Sequence, residues 1–567
     1  MDSYTHWPNL AAMMFDLARR WPRRPMLRHF RDGAWRGMRW GEFGRAAASV
    51  ARGLLAAGVS AGDRVLILSE NRPEYPIAET ALLAIRAIPV PTYTTNTEED
   101  HAHILRDSGA RAAIVSTAAL AARLTKAAAT AHGLDLLVTM EPVQGGAARL
   151  LPWADIAGDT RPCDDMAEAA ADIPEGALAC LIYTSGTSGA PRGVMLPHRA
   201  ILANCRGAFA FLQPMRLKDE TYLSFLPLSH SYEHTVGQFF LLSIGTEIAY
   251  CRGVEHLSSD LLAVRPTILT VVPRILEVIR GRILAQVARE KPWRQKLFAR
   301  AIEIGRRRAE HEKLSVLDRL ADPFLERLVR RKVRARFGGR FHAAMSGGAR
   351  LEPAIGRFYL GLGIRLMQGY GQTEAGPVIS ANPPDAVRID TVGRPLEGVA
   401  LRIAADGEIE VRGDLVMDGY WGQPEATARA IRDGWLLTGD IGAIDAEGYL
   451  RITDRKRDII VLSGGENVSP ARVEGTLVAA QAIAQAVVCG EGRSGLAALL
   501  VPAEGHGEAA VGAAVAAVNK TLAVTERIRR HAIVPPFTIE NGLLTASQKV
   551  RRHLVLQRHA AVVEQFW

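Results

Sequence analysis

Lysine is scarce in this sequence. Of 69 basic residues only nine are Lys, and the other 60 are Arg. The bias is compositional, and it makes each Lys informative. Cysteine is also sparse: Cys163, Cys180, Cys205, Cys251 and Cys489. No two form C-x-x-C, which excludes a disulfide scaffold, gives no zinc spacing and fits a reducing compartment. Long apolar runs are missing. The most apolar stretch, Val236 to Tyr250, is interrupted by Gly245 and Glu247 and is shorter than the roughly 20 residues a bilayer requires. The opening Met1-Asp2-Ser3-Tyr4 lacks a charged segment followed by an apolar run, so a cytoplasmic protein is expected. There is no internal repeat and no G-x-x-x-x-G-K-[ST] phosphate loop. At 48% apolar and 23% charged residues, the composition excludes a disordered or collagenous chain.

What is present is a chain of 567 residues, enough for three or four domain-sized units at roughly 150 residues each. Its +9 charge is concentrated. Residues 300–340 hold 13 Lys/Arg against 6 Asp/Glu. Leu320, Phe324, Leu328 and Val329 recur there at helical spacing. Two readings stand: a solvated amphipathic helical pair, or a peripheral foot on an anionic membrane. Nucleic acid is not expected, because no aromatic interleaving accompanies the basic run.

The first half alternates apolar runs with helical patterns. Arg64–Leu68, Ala112–Ser116 and Leu178–Tyr183 are predicted strands, and Tyr75–Ala87 a predicted helix. Strands separated by helices imply an α/β fold with a mostly parallel sheet. From about Thr391 short strands at Ala400–Ile403, Glu408–Val411 and Tyr449–Ile452 suggest a small β-subdomain. The charged run 454–458 is the expected boundary. A large domain, 1–453, precedes it and a small mobile α+β domain, 459–567, follows. Ala509–Val518 reads as a helix.

One segment carries chemistry. Tyr183-Thr184-Ser185-Gly186-Thr187-Ser188-Gly189-Ala190-Pro191-Arg192-Gly193-Val194 follows an apolar strand and packs three glycines, four Ser/Thr hydroxyls and one cation into twelve positions. Glycines let backbone N–H groups close on an anion, and hydroxyls and Arg add donors. Composition alone leaves an ordinary Gly/Ser loop equally open.

The segment resembles the phosphate-binding signature of the adenylate-forming family of acyl-CoA synthetases, luciferases and peptide-synthetase adenylation domains. Further motifs follow in the family's order. Ser346-Gly347-Gly348-Ala349 and Gln368-Gly369-Tyr370-Gly371-Gln372-Thr373-Glu374 resemble its adenine and magnesium motifs. Trp435 to Asp440 resembles its ribose motif, and Asp454-Arg455-Lys456-Arg457-Asp458 its hinge. Asn541 through Lys549 resembles its catalytic-lysine loop. Together these run from about Asn71 to Arg552.

The resemblance implies ATP and coenzyme A as substrates and Mg2+ as cofactor. Thr184, Ser185, Gly186, Thr187, Ser188, Gly189 and Arg192 would bind the phosphates. Glu374, with Thr184, would hold the metal. Gly347, Gly348, Ala349, Gly369, Tyr370, Gly371 and Thr373 would line the adenine site, with Asp440 and Arg455 at the ribose. Lys549 would bridge the substrate carboxylate and the α-phosphate, where a compact ammonium fits better than a planar guanidinium. Arg457 would be the pivot, with Lys456 beside it and Gly464-Gly465 near the coenzyme A channel. Taken singly, Glu374 also reads as a surface carboxylate, Asp440 as a turn residue, Tyr370 as core and Lys549 as one more cation in a basic tail.

Within the family, Leu226-Pro227-Leu228-Ser229-His230-Ser231-Tyr232-Glu233-His234 is similar to the acyl-pocket segment of bacterial long-chain fatty-acid–CoA ligases, where His230 would line the pocket. It also reads as a histidine at a strand end. Val272–Glu277, the basic insertion and Ser463–Pro470 point the same way. Two positions depart from the pattern: Arg192 stands where the family has Lys, and Thr545-Ala546-Ser547 where it has Thr-Pro-Thr. The expected activity is acyl-CoA formation from medium- to long-chain fatty acids. Alternatives are loading of a carrier protein, an aryl or branched acid, and a non-enzymatic acyl or nucleotide sensor. Monomer and homodimer both stay open.

Overall fold

The computed structural model describes residues 4–143, 148–184, 190–456, 458–464, 466–545 and 548–567. The chain divides into two compact units. One holds the residues up to Thr184 with Pro191–Leu401 and Val411–Leu436; the other is chiefly Arg402–Glu410 and Leu437–Trp567.

Among the described residues the first unit has three sheets. The largest runs, in spatial order, Arg394–Pro395, Val378–Ala381, Arg365–Gly371, Ala343–Ser346, Ile268–Val271, Thr221–Ser224, Glu247–Tyr250, Pro25–Arg31 and Ala34–Arg39. Its inner pairings are parallel and those at both edges antiparallel. A second sheet is parallel throughout: Ile88–Thr92, Arg64–Leu68, Ala112–Val115, Leu136–Thr139 and Arg149–Pro152. Helices cover its strands, so they are apolar on both faces, as Val65 to Leu68 illustrate.

Helix α1 (Glu74–Ala84) is buried from Tyr75 to Ala84. It is buried on every side and therefore lies inside the fold, its one buried charge, Glu79, taken up by partners on a neighbouring helix. It stops three residues before the predicted end. Arg86 takes a positive φ of 61°, which no helix accommodates, and the chain turns into Ile88.

The predicted strand at Leu178 is not part of the parallel sheets. It is β1 (Leu178–Thr184), antiparallel to β2 (Arg192–Pro197), which in turn pairs with β3 (Gly419–Tyr420). The connection, residues 185–191, is shorter than the dozen or so a parallel crossover needs. β1 and β2 are thus the two arms of a hairpin, and the hydroxyl-rich segment is the chain that joins them.

Before Ala343 comes a helical insertion: Pro273–Ala288, α2 (Pro292–Ala309) and α3 (Val316–Leu325). A π-helical turn, Glu326–Arg330, follows α3.

In the second unit β4 (Trp435–Ile444) and β5 (Leu450–Arg455) form a hairpin paired from Ile444 with Leu450 to Asp440 with Arg455. A three-stranded sheet, Ile483–Cys489, Leu496–Pro502 and Ile528–Ile533, separates two small cores. Val488 faces one and Val487 the other, the period of two that a strand buried on both faces shows. The small unit is α+β and the whole α/β, as expected.

Candidate active site

The hairpin β1–β2 delivers the two ends of the candidate phosphate loop. Ser185 to Gly189 lie outside the described residues; Thr184 and Arg192 face each other as the last described pair. The base of the loop is pinned from outside. Tyr183 donates its hydroxyl to Asp107 at 2.6 Å, and the His103 ring lies 2.7 Å from the Pro191 carbonyl.

Arg192 lies over the ring of Tyr420 at 5.4 Å. Tyr420, held beside Val194 by the β2–β3 pairing, donates its hydroxyl to Glu374 at 3.0 Å. Burial, reinforced by the Glu374 charge, lifts the Tyr420 phenol far above its ordinary value, so it stays a donor. The acidic, aromatic and basic groups form one run of contacts.

Glu374 belongs to a short turn, Thr373–Ala375, beyond the strand Arg365–Gly371. Asn204 locks that turn, donating to Ala375 O at 3.1 Å and accepting from Val378 N at 2.7 Å. Gly371 is required by space, since a Cβ there would sit 1.9 Å from Pro377 O. Gly369 and Tyr370 are half-buried on the same strand. Thr373 meets Ser231 hydroxyl to hydroxyl at 2.9 Å, joining this turn to the His230 segment. Tyr232 donates to Met345 O at 2.9 Å, and its ring lies against Gly347. Gly347 is buried, whereas Gly348 and Ala349 are exposed. The first unit therefore gathers Thr184, Arg192, His230, Gly347 and the Gly369–Glu374 segment through these links.

His230 is in a turn rather than at a strand end. Its Nδ1 accepts from Tyr232 N at 3.1 Å, and Asn71 steadies the turn by accepting from Leu228 N at 3.0 Å. A π-helix, Glu233–Phe240, follows. It buries two carboxylate clusters. Glu233 accepts from Tyr222, from Ser224 at 2.6 Å and from Thr270 at 2.8 Å. Desolvation outweighs those donors and pushes its carboxyl up to about 7. Glu79, on α1, meets the His234 ring at 2.5 Å and accepts from Gln238 at 2.6 Å.

Also in this unit is a small gap of about 20 Å³, room for roughly one water, lined by side chains such as Phe225, Leu269, Val271, Ile275 and Phe341; His230 is not part of this lining. Its described lining is wholly apolar.

The second unit holds the other candidates. Asp440 is buried on β4, paired across the hairpin with Arg455, whose Nε lies 3.4 Å from Oδ1. Gly439 before it needs its φ of 72°, a conformation that places its N–H on Glu408 at 2.8 Å. Lys456 reaches Asp406 at 2.5 Å and Glu408 at 2.7 Å, which together raise its pKa. Arg457 and Gly465 lie outside the described residues; Gly464 is exposed.

Lys549 is exposed on a tight turn. Its N–H donates to Thr545 Oγ1 at 3.0 Å, Thr545 N donates back to Lys549 O at 2.8 Å, and Gln548 adopts φ 60°. Arg552 anchors the turn on Glu474 at 2.6 Å. Ala546 and Ser547 lie outside the described residues.

Sequence reasoning missed Tyr420 and Asn204. Each acts through tertiary contacts with the Glu374 turn from far along the chain, and neither carries a local pattern. The only signal was the compact Gly419-Tyr420-Trp421-Gly422.

An α/β body followed in the chain by a small α+β unit fits the adenylate-forming class that the sequence motifs resemble. Comparison agrees: a family model described as AMP-binding enzyme matches residues 14–421, and one described as AMP-binding enzyme C-terminal domain matches 457–567. The chain belongs to the AMP-binding enzyme family. A relative from Mycobacterium tuberculosis, the long-chain-fatty-acid–CoA ligase FadD15, is 33% identical across 98% of this chain and 96% of its own length. The anthranilate CoA ligase AuaEII, solved with anthranoyl-AMP, superposes with a TM-score of 0.76 at 20% identity, covering 100% of this chain and 98% of that one. The o-succinylbenzoate coenzyme A synthetase MenE of Bacillus subtilis, solved with ATP and magnesium, gives 0.70 at 20% identity over 96% and 98%. Among the described residues, no helix is long and apolar enough to cross a membrane.

Proposed function

We propose that this chain activates a medium- to long-chain fatty acid with ATP and passes the acyl group to coenzyme A, giving acyl-CoA, AMP and pyrophosphate. What carries this is the run Arg192–Tyr420–Glu374 at the mouth of the β1–β2 hairpin, a cation and a carboxylate fixed beside a hydroxyl-rich loop. The fatty-acid identity is supported by likeness to a relative named a long-chain-fatty-acid–CoA ligase.

In the first step a carboxylate oxygen of the acid attacks the α-phosphorus, the bond to the β-phosphate breaks, and pyrophosphate leaves. An anion meets a polyanion, so cations and oriented donors set the rate. Thr184, Arg192 and the loop Ser185–Gly189 hold the phosphates. Tyr370 stacks on adenine beside Gly347, Gly348, Ala349, Gly369, Gly371 and Thr373. Asp440 accepts from the ribose hydroxyls, with Arg455 beside it. Lys549 bridges the acid and the α-phosphate, and His230 lines the acyl pocket. In the second step the thiol of coenzyme A loses its proton to solvent, its sulfur attacks the acyl carbon, and AMP leaves.

The donor set fits magnesium. Among the described residues no cluster of three or more His, Cys, Asp or Glu could cage a metal, and Mg2+ is commonly held by one carboxylate plus substrate phosphates. Glu374, its carboxylate restrained by the Tyr420 hydroxyl, would hold the ion together with Thr184. When bound, the ion offsets charge on the phosphate oxygens. Residues 454–458 are the hinge between 1–453 and the mobile 459–567, with Arg457 as pivot. Five free thiols suit a cytoplasmic location.

The test is product analysis with acetate, octanoate, palmitate and benzoate, with and without coenzyme A. Palmitate or octanoate should exceed acetate and benzoate by about tenfold or more in pyrophosphate and thioester, since each buried methylene contributes to discrimination. Preference for benzoate would identify an aryl-acid ligase. Acyl-AMP that accumulates regardless of coenzyme A would identify a carrier-loading enzyme.

A further inference from the structure

Helix α3 has two apolar edges, and only one of them is covered. Leu325, with Ala321 and the following Val329, packs on Leu297, Ala301 and Ile304 of α2. On its other side Val316 and Leu317 are 72% exposed, Leu320 65%, Phe324 69% and, one turn past the helix, Leu328 52%. Exposed apolar residues scattered singly are ordinary; five in one helical stripe are not.

The charge around this stripe has been sorted by the fold. The arginines of α2 are committed to acids of the same region. Arg306 pairs with Glu303, Glu310 and Glu312, Arg307 with Asp318, and Arg308 with Asp322. Arg330 is buried on Asp322 and Glu326, and Arg334 also takes Glu326. All three acids of the α3 region, Asp318, Asp322 and Glu326, are thereby neutralised. Arg319, Arg327, Arg331 and Lys332 are exposed, and no ion pair joins them to a described residue. The basic region 300–340 is therefore not one uniform foot. Its first part is largely an ion-paired lattice, whereas Arg319, Arg327, Arg331 and Lys332 cluster beside the stripe as cations unpaired among the described residues, with Lys313, Arg336 and Arg340 further off along the chain.

We propose that the α3 stripe, Val316 to Leu328, is a docking surface for an anionic lipid bilayer. The apolar side chains enter the headgroup–acyl boundary, and Arg319, Arg327, Arg331 and Lys332 meet the lipid phosphates. Long Arg and Lys stems suit this, since they follow an apolar surface while keeping the charge in the polar layer. A second copy of the chain is disfavoured as occupant. A two-fold contact sets the same patch against itself, and here four unneutralised cations would face four more. The proposal needs no catalysis and stands independently of the substrate.

The experiment is flotation of the full chain with phosphatidylcholine vesicles, alone or with one-third phosphatidylglycerol, without ATP or acid. The wild type should float with the anionic vesicles and fall by at least tenfold on pure phosphatidylcholine or in high salt. Leu320→Ser with Phe324→Ser, and separately Arg327→Glu with Arg331→Glu, should each lose most binding. All four side chains are exposed, so both variants should keep the wild-type melting temperature and pyrophosphate release with a soluble acid. Undiminished binding by either pair, or no binding by the wild type, overturns the proposal. So does a dimer that the serine pair converts to monomer, which would make the stripe a contact between copies.

Discussion

At the residue scale, the contact that matters most is one hydroxyl on one carboxylate. Tyr420 has no proposed contact with substrate; its hydroxyl holds Oε1 of Glu374 and so restrains that carboxylate, the proposed metal ligand. Hydrogen bonds to a charged group contribute about 1.5–3 kcal/mol. Tyr420→Phe keeps the ring under Arg192 and removes only that bond. Pyrophosphate release should fall about tenfold or more by the same measure. The Mg2+ concentration for half-maximal rate should rise, and the melting temperature should fall by no more than a few degrees. An unchanged Mg2+ requirement would mean that Glu374 is oriented by something else. Glu374→Gln should cost more, about a hundredfold, in the range seen when a group stabilising transition-state charge is removed.

At the element scale, the π-helix Glu233–Phe240 carries a pH dependence. The folded-state pKa of Glu233 is raised from its ordinary value to about 7. The folded chain therefore holds this proton more tightly than the unfolded chain. Its contribution is fully present below the unfolded carboxylate pKa and is lost as pH rises towards and through about 7. Wild type should lose melting temperature between pH 5 and pH 8, and Glu233→Gln, which cannot ionise, should lose less. Equal losses would show that Glu233 is not the group responsible. The elements themselves were unevenly legible. Arg64–Leu68 and the helix 508–519 stood out because burial on both faces and an Ala-rich run leave a local imprint. β1 was recognisable as a strand but not as half of a hairpin, because its apolar run reads the same in either kind of sheet. Tyr420 was invisible, since its role comes from a β-pairing to Val194 across a long stretch of chain. The basic insertion showed its charge in the sequence but not its pairing. Only the fold reveals that Arg306 and Arg330 are spent internally while Arg327 and Arg331 are not.

At the scale of the whole molecule, the scarcity of lysine bears on the role proposed for Lys549. The chain has Arg at most of its basic positions, including position 192 of the candidate phosphate loop, yet has Lys549 on an exposed, tightly bonded turn of the smaller unit. If the two half-reactions use different faces of that unit, Lys549 serves only the first. Lys549→Ala should reduce acyl-AMP formation by about a hundredfold, comparable to losing one preorganised charge-stabilising group. It should leave thioester formation from supplied acyl-AMP and coenzyme A within a fewfold of wild type. Equal loss in both halves would assign Lys549 a structural role. The central claim is that this chain joins a fatty acid to AMP, and the most direct measurement is exchange of labelled pyrophosphate into ATP without coenzyme A. The account predicts exchange that requires both Mg2+ and a medium- or long-chain fatty acid and is abolished in Glu374→Gln. Absence of exchange with every acid tried, or exchange indifferent to the acid, would contradict it.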